Sequence, residues 1–321
     1  MPTVAEIAKC LSDNIEQVIV GKQEAVRSAV VALLADGHLL IDDVPGVAKT
    51  MLARSLALSL GATFRRIQCT PDLLPSDITG ISIFNQKTGE FEFNPGPVMS
   101  NIVLVDEINR APPRTQSALL EAMAERQVTA DGVTRTLARP FCVIATQNPI
   151  EYEGTFPLPE AQLDRFLLRM TIGYPDSEAE SEILLRLQLS HPVEKVQQVI
   201  VTDELLAAQH QVRQIFVHEK VRDYVVRLVQ ATRSHPDLAL GASPRGSLAL
   251  LRCAQARAAS DGISFVLPDH AKALLVPTLA HRLILTPEAR LGGRTAGGAL
   301  AQISQQVEAP VGEAYASEQS G

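Results

Sequence analysis

Short apolar runs alternate with amphipathic segments over roughly the first half of the chain. The apolar runs have the length of buried strands and lie near residues 38–42, 63–68, 101–105, 140–146 and 166–172. The segments with helical spacing lie near residues 22–36, 49–60, 115–125 and 177–189. This alternation predicts an α/β fold in which a parallel sheet is wrapped by helices.

Two further segments have the pattern of β-hairpins. Residues near 80–95 place Ile83 and Phe91 on either side of the turn Lys87-Thr88-Gly89-Glu90. Residues near 127–138 turn at Asp131-Gly132, a dipeptide that favours tight hairpin turns. The sequence therefore predicts two hairpins in addition to the parallel sheet.

Beyond Tyr174-Pro175 the pattern is helical almost to the end of the chain. Connections are expected around residues 190–192 and 199–202. Ser243-Pro244 has the residue types that begin a helix, with Ser as the N-cap and Pro in the first turn. We predict an α/β core at residues 1–190, an all-helical lid domain at 191–308 and a disordered tail of small and polar residues at 309–321.

The composition agrees with a large enzyme. A chain of 321 residues is long enough for two domains and a substantial core. Its net charge of −7 gives no basic surface, so we do not expect nucleic acid as a partner. The four cysteines lack metal-type spacing, which indicates reduced residues in or near the core: Cys10, Cys69, Cys142 and Cys253.

The sequence also bears on location. No apolar run approaches the roughly 18 residues that a membrane span needs. Thr3-Val4-Ala5-Glu6 has the pattern of a capping box that opens an amphipathic helix, and Lys9 and Asp13 interrupt any signal-like run. We therefore expect the chain to fold and stay in the cytoplasm, without a membrane span.

Residues 43–50 have the pattern of a phosphate-binding loop between a strand and a helix: Asp43-Val44-Pro45-Gly46-Val47-Ala48-Lys49-Thr50. In such a loop, backbone N–H groups and the helix dipole hold the phosphates, Lys49 reaches the β- and γ-phosphates, and Thr50 binds Mg²⁺. Asp43 and Ala48 stand where G-x-x-x-x-G-K-[ST] has glycine. Alanine is sterically tolerable at position 48 only if the residue keeps a negative φ, and the sequence does not decide this. Taken alone, the segment is equally compatible with an ordinary strand-to-helix turn.

Polar side chains follow two of the other predicted strands. The run at 101–105 ends in two adjacent carboxylates, Asp106 and Glu107. Open α/β sheets deliver such groups to the edge where ligands bind. Asp106 is then placed to hold Mg²⁺, and Glu107 to orient or deprotonate an attacking water. Asn148, after the run at 140–146, is predicted at the same edge, where its amide positions water or touches the γ-phosphate.

Several segments together resemble the MoxR family of AAA+ ATPases, over nearly the whole chain through about Val307. Their order and spacing are specific, whereas each alone is a weak signal. The segments begin with Val20-Gly21-Lys22-Gln23-Glu24, the loop from Val44 to Thr50, the run from Ile67 to Asp77 and the run from Asp106 to Pro113. They continue with the run from Thr115 to Met123, Ala145-Thr146-Gln147-Asn148-Pro149, Glu160-Ala161-Gln162-Leu163-Asp164-Arg165-Phe166 and Gly241-Ala242-Ser243-Pro244-Arg245.

The resemblance implies an ATPase that uses ATP and Mg²⁺ and assembles as a homo-hexamer. It implies nucleotide contacts from Val20, Gly21, Val44, Pro45, Gly46, Val47, Ala48, Lys49, Thr50 and Met51. Arg245 corresponds to the sensor 2 arginine, which points at the γ-phosphate of the same subunit. Arg165 corresponds to an arginine finger that enters the neighbouring subunit's site, and Arg110 and Arg114 compete for that role.

The same resemblance implies a protein client that is remodelled, matured or activated, including by metal-cofactor insertion. It also implies a partner with a von Willebrand factor A domain, and it makes the hairpin near 80–95 an insert that touches substrate or partner. Two other classes share part of the pattern. One is a DNA-associated AAA+ motor, although the hairpin turns here are nearly neutral and acidic. The other is a P-loop small-molecule kinase, which would have little use for Glu107 as a water activator.

Overall fold

The computed structural model describes residues 2–149, 154–188 and 192–310. Its strands are β1 (Leu39–Asp42), β2 (Phe64–Gln68), β3 (Gly80–Asn85), β4 (Glu90–Pro95), β5 (Ile102–Asp106), β6 (Gln127–Ala130), β7 (Val133–Thr136), β8 (Cys142–Gln147), β9 (Leu168–Met170), β10 (Leu238–Leu240) and β11 (Ile284–Leu285).

Helices connect the strands and make up most of the second half of the chain. They are α1 (Val4–Glu16), α2 (Gln23–Leu34), α3 (Lys49–Ser59), α4 (Pro75–Thr79), α5 (Pro113–Glu125), α6 (Glu160–Leu163), α7 (Ser177–Leu187), α8 (Thr202–Arg213), α9 (Glu219–Arg233), α10 (Pro244–Ser260), α11 (Pro268–Ala273), α12 (Leu275–Leu279), α13 (Pro287–Leu291) and α14 (Ala296–Gln306). Short 3₁₀ helices lie at Pro97–Met99, Ile108–Arg110, Pro192–Lys195 and Ala280–Arg282.

Five strands form one parallel sheet in the order β2-β5-β8-β1-β9. Leu39 of β1 pairs with Ile144 of β8 and with Leu168 of β9, and the other pairings in this sheet are also parallel. The carboxyl ends of the strands therefore meet at one edge of the sheet, which we call the carboxyl edge, and the amino ends meet at the opposite amino edge. The predicted α/β class is confirmed.

The two faces of the sheet bury different residues, because side chains alternate along each strand. On β5, Ile102 and Leu104 pack into one core cluster, while Val103 and Val105 pack into the other. Helix α5 covers the second cluster, and the first continues through α1, α2 and α3. Both faces are therefore covered by helices, as a parallel sheet requires.

Helices α8–α14 lie in the region predicted to be the lid, and α8 and α10 pack against α1 and α2. The Gln209 side-chain amide donates to the Leu33 carbonyl at 2.8 Å across this contact. Ser243 caps α10, as the sequence predicts, by accepting the Arg245 backbone N–H at 3.2 Å. The antiparallel pair β10 and β11 was not predicted, because strands of three and two residues are too short to show alternation.

The two predicted hairpins form and contact each other. β3 pairs with β4, and β6 pairs with β7 with its turn at Asp131-Gly132. The Ser82 backbone N–H donates to the Asp131 carboxylate at 3.0 Å, and the Arg135 guanidinium lies 3.7 Å from the centroid of the Phe93 ring. We call these four strands the hairpin pair.

Several smaller predictions have mixed outcomes. All four cysteines are free; three are buried as expected, but Cys10 is exposed because it lies on the solvent side of α1. Among the helices of the described residues, none has the length and apolar character to cross a membrane. The connection at residues 190–191 and most of the predicted tail lie outside the described residues. The domain limits at residues 190 and 308 stay predictions.

Candidate nucleotide site

The structure places the predicted acids and the phosphate loop at the carboxyl edge. The loop follows β1, Asp106 ends β5, and Glu107 comes next. Asn148 follows β8 and is buried. Because β1, β5 and β8 are adjacent and parallel, their ends bring these groups to one region.

The phosphate loop leads directly into α3, which begins at Lys49. Gly46 has φ +86° and open space where a Cβ would stand, so its backbone is accessible to a ligand. Ala48 has φ +61° and ψ +22°, which is the left-handed region. Ala48 therefore does not keep the negative φ under which alanine is tolerated without strain. The turn needs a left-handed residue just before the helix, and the surrounding structure holds alanine in that strained conformation.

The Lys49 side chain lies on the loop, among the acids of the site. Its Nζ donates to the Asp43 carbonyl at 2.6 Å. Burial lowers the pKa of Lys49, and the neighbouring carboxylates of Asp43, Asp106 and Glu107 oppose that shift. Lys49 is therefore a partly desolvated point charge of the kind that binds phosphate.

Asp43 has a structural role that the sequence pattern did not reveal. Its Oδ2 accepts the N–H groups of Ile172 and Gly173 at 2.6 and 2.7 Å, and its Oδ1 accepts the Val44 N–H at 2.8 Å. The side chain thus ties the start of the loop to the chain that follows β9. The available sequence signal was the departure from glycine at this position.

Asp106 is held from two sides. Its Oδ1 accepts the Thr146 hydroxyl at 2.8 Å, and its Oδ2 accepts Nε and Nη2 of Arg66 at 2.9 and 2.6 Å. Arg66 Nη2 also donates to Gln68 Oε1 at 2.8 Å. Sequence reasoning missed Arg66, Gln68 and Thr146. The one signal for Arg66 was a charged residue inside a strand-like run.

Glu107 has φ +55° and ψ +52°, a conformation that is uncommon for a residue other than glycine. Its N–H donates to the Thr146 hydroxyl at 2.9 Å. Its Oε2 accepts from Gln68 Nε2 at 3.3 Å and from Arg110 Nη1 at 3.2 Å. Strained residues of this kind cluster at functional sites. The Glu107 carboxylate is therefore oriented by its neighbours while it remains partly open to water.

A cavity of about 510 Å³ lies beside the loop, within the usual size range of ligand pockets. Gly21 has φ +71°, and a Cβ there would stand 2.8 Å from the Ala179 Cβ, so glycine allows α7 to approach. The predicted nucleotide contacts that line the cavity are Val20, Gly46, Val47, Ala48 and Met51. A cavity of about 750 Å³ between β9 and the lid is lined by none of the loop residues.

The donor groups at the carboxyl edge fit Mg²⁺. Thr50 and Asp106 offer hard oxygen ligands, and Mg²⁺ commonly binds through one or two such protein groups, with phosphates and water completing its shell. Within the described ranges, no group of three or more His, Cys, Asp or Glu side chains forms a metal cluster. The residues therefore suit a cation that is shared with a nucleotide.

Arg165 lies at the amino edge, away from the phosphate loop of its own chain. It precedes β9, whose first residue Leu168 pairs with Leu39 at the start of β1, whereas the loop follows the end of β1. The Arg165 side chain is half-buried and has no hydrogen bond or ion pair among the described residues. Arg165 therefore has no contact with the phosphate loop of its own chain among the described residues.

Arg245 also lies at the amino edge, which differs from the predicted contact with the phosphate of its own subunit. Its Nη1 is 3.9 Å from Asp164 Oδ2, and its side chain is 75% exposed. Asp164 directly precedes Arg165. The lid packs the first turn of α10 beside the chain that enters β9, and not beside the loop, so a role for Arg245 in cis is not supported.

Arg282 joins the lid to residues 164–166, which lead into β9. No sequence motif indicated this contact. Its side chain is 4% exposed and forms an ion pair with the Asp164 carboxylate. Nη1 donates to the Asp164 carbonyl and Nη2 to the Phe166 carbonyl, both at 2.8 Å. His281 Nε2 lies 3.0 Å from the same Phe166 oxygen.

The competing candidates for the arginine finger differ in their contacts. Arg110 donates to Glu107 of its own chain. Arg114 is exposed in the first turn of α5, and its side chain has no hydrogen bond or ion pair within the part of the chain that the structure describes. Arg110 is therefore the least suited of the three to act on another subunit.

Comparison with known proteins defines the class. Residues 38–168 match the family described as "ATPase family associated with various cellular activities (AAA)", and residues 230–303 match the family described as "AAA lid domain". A crystal structure from Cytophaga hutchinsonii, of a protein described as a candidate ATPase, is 38% identical and superposes with a TM-score of 0.90 over 96% of both chains. The parallel sheet, phosphate loop and helical lid are thus those of an AAA ATPase.

Curated relatives narrow this class to a family. The chain is 52% identical over 299 residues to YeaC of Bacillus subtilis, covering 93% of each chain. It is 46% identical to Chaperone MoxR1 of Mycobacterium tuberculosis, covering 86% of this chain and 75% of that protein. It is 31% identical to Protein MoxR of Methylorubrum extorquens, covering 85% and 86%. The chain belongs to the MoxR family of AAA+ ATPases.

Proposed function

We propose that this chain hydrolyses Mg·ATP in a hexameric ring and uses the cycle to remodel or activate a protein client. The observation that carries the proposal is the division of charged groups between two edges of one sheet. Lys49, Asp106 and Glu107 lie at the carboxyl edge, and Arg165 and Arg245 lie at the amino edge. A site and its complement on opposite edges of a subunit fit a head-to-tail ring.

The chemistry is phosphoryl transfer to water. Lys49 and the N–H groups of the loop bind the phosphates. Thr50 and Asp106 would hold Mg²⁺, which would neutralise negative charge on the phosphate oxygens. Glu107 takes a proton from the attacking water, and Asn148 orients that water.

We infer that Arg165 and Arg245 both act on the nucleotide of the neighbouring subunit. The two side chains flank Asp164 at the amino edge, and neither lies near the loop of its own chain. An arginine supplied in trans to a phosphoryl transition state is worth roughly 10³–10⁵ in rate. Hydrolysis should therefore depend on assembly.

The hairpin pair is the surface that we propose contacts the client. Ile83 and Phe84 are each 50% exposed and Phe91 is 73% exposed, and the two Phe rings lie 5.3 Å apart. An exposed apolar patch of this kind is typical of protein contacts. A relative named as a chaperone agrees with a protein client. The partner with a von Willebrand factor A domain and the insertion of a metal cofactor rest on the family resemblance alone.

Separation of nucleotide binding from turnover tests the chemistry. Lys49→Ala should abolish ATP binding, because the phosphates lose their main side-chain countercharge. Glu107→Gln should bind ATP and lose turnover by about 10²–10⁴-fold, the usual contribution of a general base. Lys87→Ala, in the exposed turn between β3 and β4, is the charge-matched control and should behave like wild type. Normal turnover in Glu107→Gln would remove the assigned base.

Two assays distinguish the other classes. A small-molecule kinase would release little phosphate without a second substrate, whereas an ATPase releases it with water alone. A DNA-associated motor would show salt-dependent DNA binding.

The client surface has its own test. In the presence of ATP, the Glu107→Gln variant should co-purify with client proteins. A chain that also carries Phe84→Ser and Phe91→Ser should no longer co-purify with these proteins but should still bind ATP. If the same proteins stay bound, the client surface lies elsewhere.

A further inference from the structure

Three of the four acids that end β1 and β5 or directly follow them are paired with arginines in the part of the chain that the structure describes. The pairs are Arg169 with Asp42, Arg66 with Asp106 and Arg110 with Glu107. The fourth acid, Asp43, binds backbone N–H groups. With Lys49 included, four cationic side chains face these four carboxylates, so among the described residues the charges of this group balance.

The Asp106 pair differs from the others because Asp106 is the proposed metal ligand. Both of its carboxylate oxygens are engaged: Oδ1 by the Thr146 hydroxyl at 2.8 Å and Oδ2 by two nitrogens of Arg66 at 2.9 and 2.6 Å. The Thr146 hydroxyl also accepts the Glu107 N–H, which fixes its proton toward Asp106. Oδ2 is therefore the oxygen that a metal would take, and Arg66 covers it.

Arg66 is able to leave this position. It lies on β2, which is an edge strand of the sheet, and its side chain is 50% exposed. Besides Asp106, its guanidinium contacts the Gln68 amide oxygen. A divalent cation and a guanidinium at the same oxygen would repel each other, so binding of one requires displacement of the other.

We propose that Arg66 closes the metal position of Asp106 until nucleotide arrives, so that the divalent cation enters with ATP and does not bind before it. This inference rests on the proposed role of Asp106 as a metal ligand. The phosphates of ATP bring the negative charge that the paired site lacks, and they supply oxygen ligands that compensate for displacement of Arg66.

Mn²⁺ alone is the probe, added to the full chain without nucleotide and followed by the loss of the free Mn²⁺ signal in electron paramagnetic resonance. Wild type should bind Mn²⁺ weakly, and Arg66→Gln should bind it about 10-fold or more tightly. Arg66→Met, which keeps the apolar stem, should show the same gain. Arg65→Gln is the matched control, because Arg65 is the adjacent residue of β2, is exposed, and has no side-chain partner among the described residues.

A double variant links the gain to Asp106. Arg66→Gln combined with Asp106→Asn should lose the added Mn²⁺ affinity. If both Arg66 variants bind Mn²⁺ no better than Arg65→Gln, Arg66 does not close the position, and the proposed ATPase function is untouched. If the gain survives in the double variant, Asp106 is not the ligand, and the metal assignment of the proposed function fails together with this inference.

Discussion

Ala48 is the clearest strained residue of the phosphate loop. A left-handed conformation costs an L-residue other than glycine roughly 1–2 kcal/mol, while glycine loses about 0.4–1 kcal/mol through its freer unfolded state. Ala48→Gly should therefore stabilise the chain by up to about 1 kcal/mol in chemical denaturation. Ala124→Gly, at an exposed position in the last turn of α5, is the control of opposite sign and should destabilise by up to about 1 kcal/mol. A loss of stability in both variants would contradict strain at Ala48.

Two buried histidines make stability depend on pH. Burial lowers the pKa of His38 to about 4 and that of His281 to about 3. His38 accepts the Val143 N–H at 3.0 Å and faces the Met123 carbonyl at 3.2 Å, so its neutral form fits both partners. Because the unfolded chain takes up these protons near pH 6.5 and the folded chain does not, stability is full above pH 6.5 and falls toward pH 4.

The expected loss for His38 is about 2 kcal/mol between pH 7.5 and pH 5, since one pKa unit corresponds to about 1.4 kcal/mol. Urea denaturation at the two pH values measures it. His38→Gln should reduce the difference between the two values by about that amount, whereas His210→Gln, on the exposed side of α8, should leave the difference unchanged. If the difference in stability between the two pH values is the same in wild type and His38→Gln, His38 is not the source of the pH dependence.

The positions of single residues in the fold were predictable where they depend on position along one strand. Asp106 and Glu107 end an apolar run, and the parallel sheet alone brings them to the loop. Contacts between residues distant in the chain were not predictable. The contacts of Asp43 with Ile172 and of Arg66 with Asp106 depend on which strands become neighbours in the sheet. No local sequence pattern determines this.

At the level of elements, the junction between β9 and the lid contains a buried ion pair, Asp164 with Arg282. Asp164→Asn would leave the Arg282 guanidinium buried without its countercharge, which typically costs 3–5 kcal/mol. We expect a clear loss of thermal stability. Asp223→Asn, at an exposed position of α9, is the control and should change stability by less than about 0.5 kcal/mol. An Asp164→Asn variant as stable as the control would show that the junction is held by other contacts.

The long elements were predictable because their periodicity is strong, and the strand and helix positions agree within a few residues. The lid was predicted to be helical throughout, and the pair β10 and β11 was missed. The position of the lid on the core was not predictable either. The Ser243-Pro244 pattern located the start of α10 but gave no sign that this end would pack beside the chain that enters β9. The contact of Arg245 with the phosphate of its own subunit stays a prediction, which the observed position does not support.

For the whole molecule, catalysis and assembly should be inseparable. Arg165→Ala should bind ATP and hydrolyse it poorly, and activity should return in part when it is mixed with Glu107→Gln. A mixed ring then contains interfaces with Glu107 from one subunit and Arg165 from the next, which neither parent ring contains. Phosphate release across mixing ratios measures this. Absence of rescue would return Arg114 as the candidate finger.

The same mixture distinguishes the two placements of Arg245. If Arg245 acts on the neighbouring subunit, Arg245→Ala mixed with Glu107→Gln should regain activity as well. If it acts within its own subunit, no interface in the mixture is complete and activity stays low. Arg165→Ala mixed with Arg245→Ala is the control. If both arginines act on the neighbouring subunit, each variant lacks one of the two, so no interface in this mixture is complete and activity should stay low.

The lid contacts residues 164–166 mainly through their main-chain oxygens. Arg282 donates to the carbonyls of Asp164 and Phe166, and His281 reaches the second of these. A carbonyl is the same in every residue, so this contact does not depend on which side chain stands at position 165. Substitution of residue 165 should therefore change the contact with the neighbouring subunit and leave the fold of the subunit itself intact. We therefore expect many substitutions at position 165 to allow folding and few of them to allow activity.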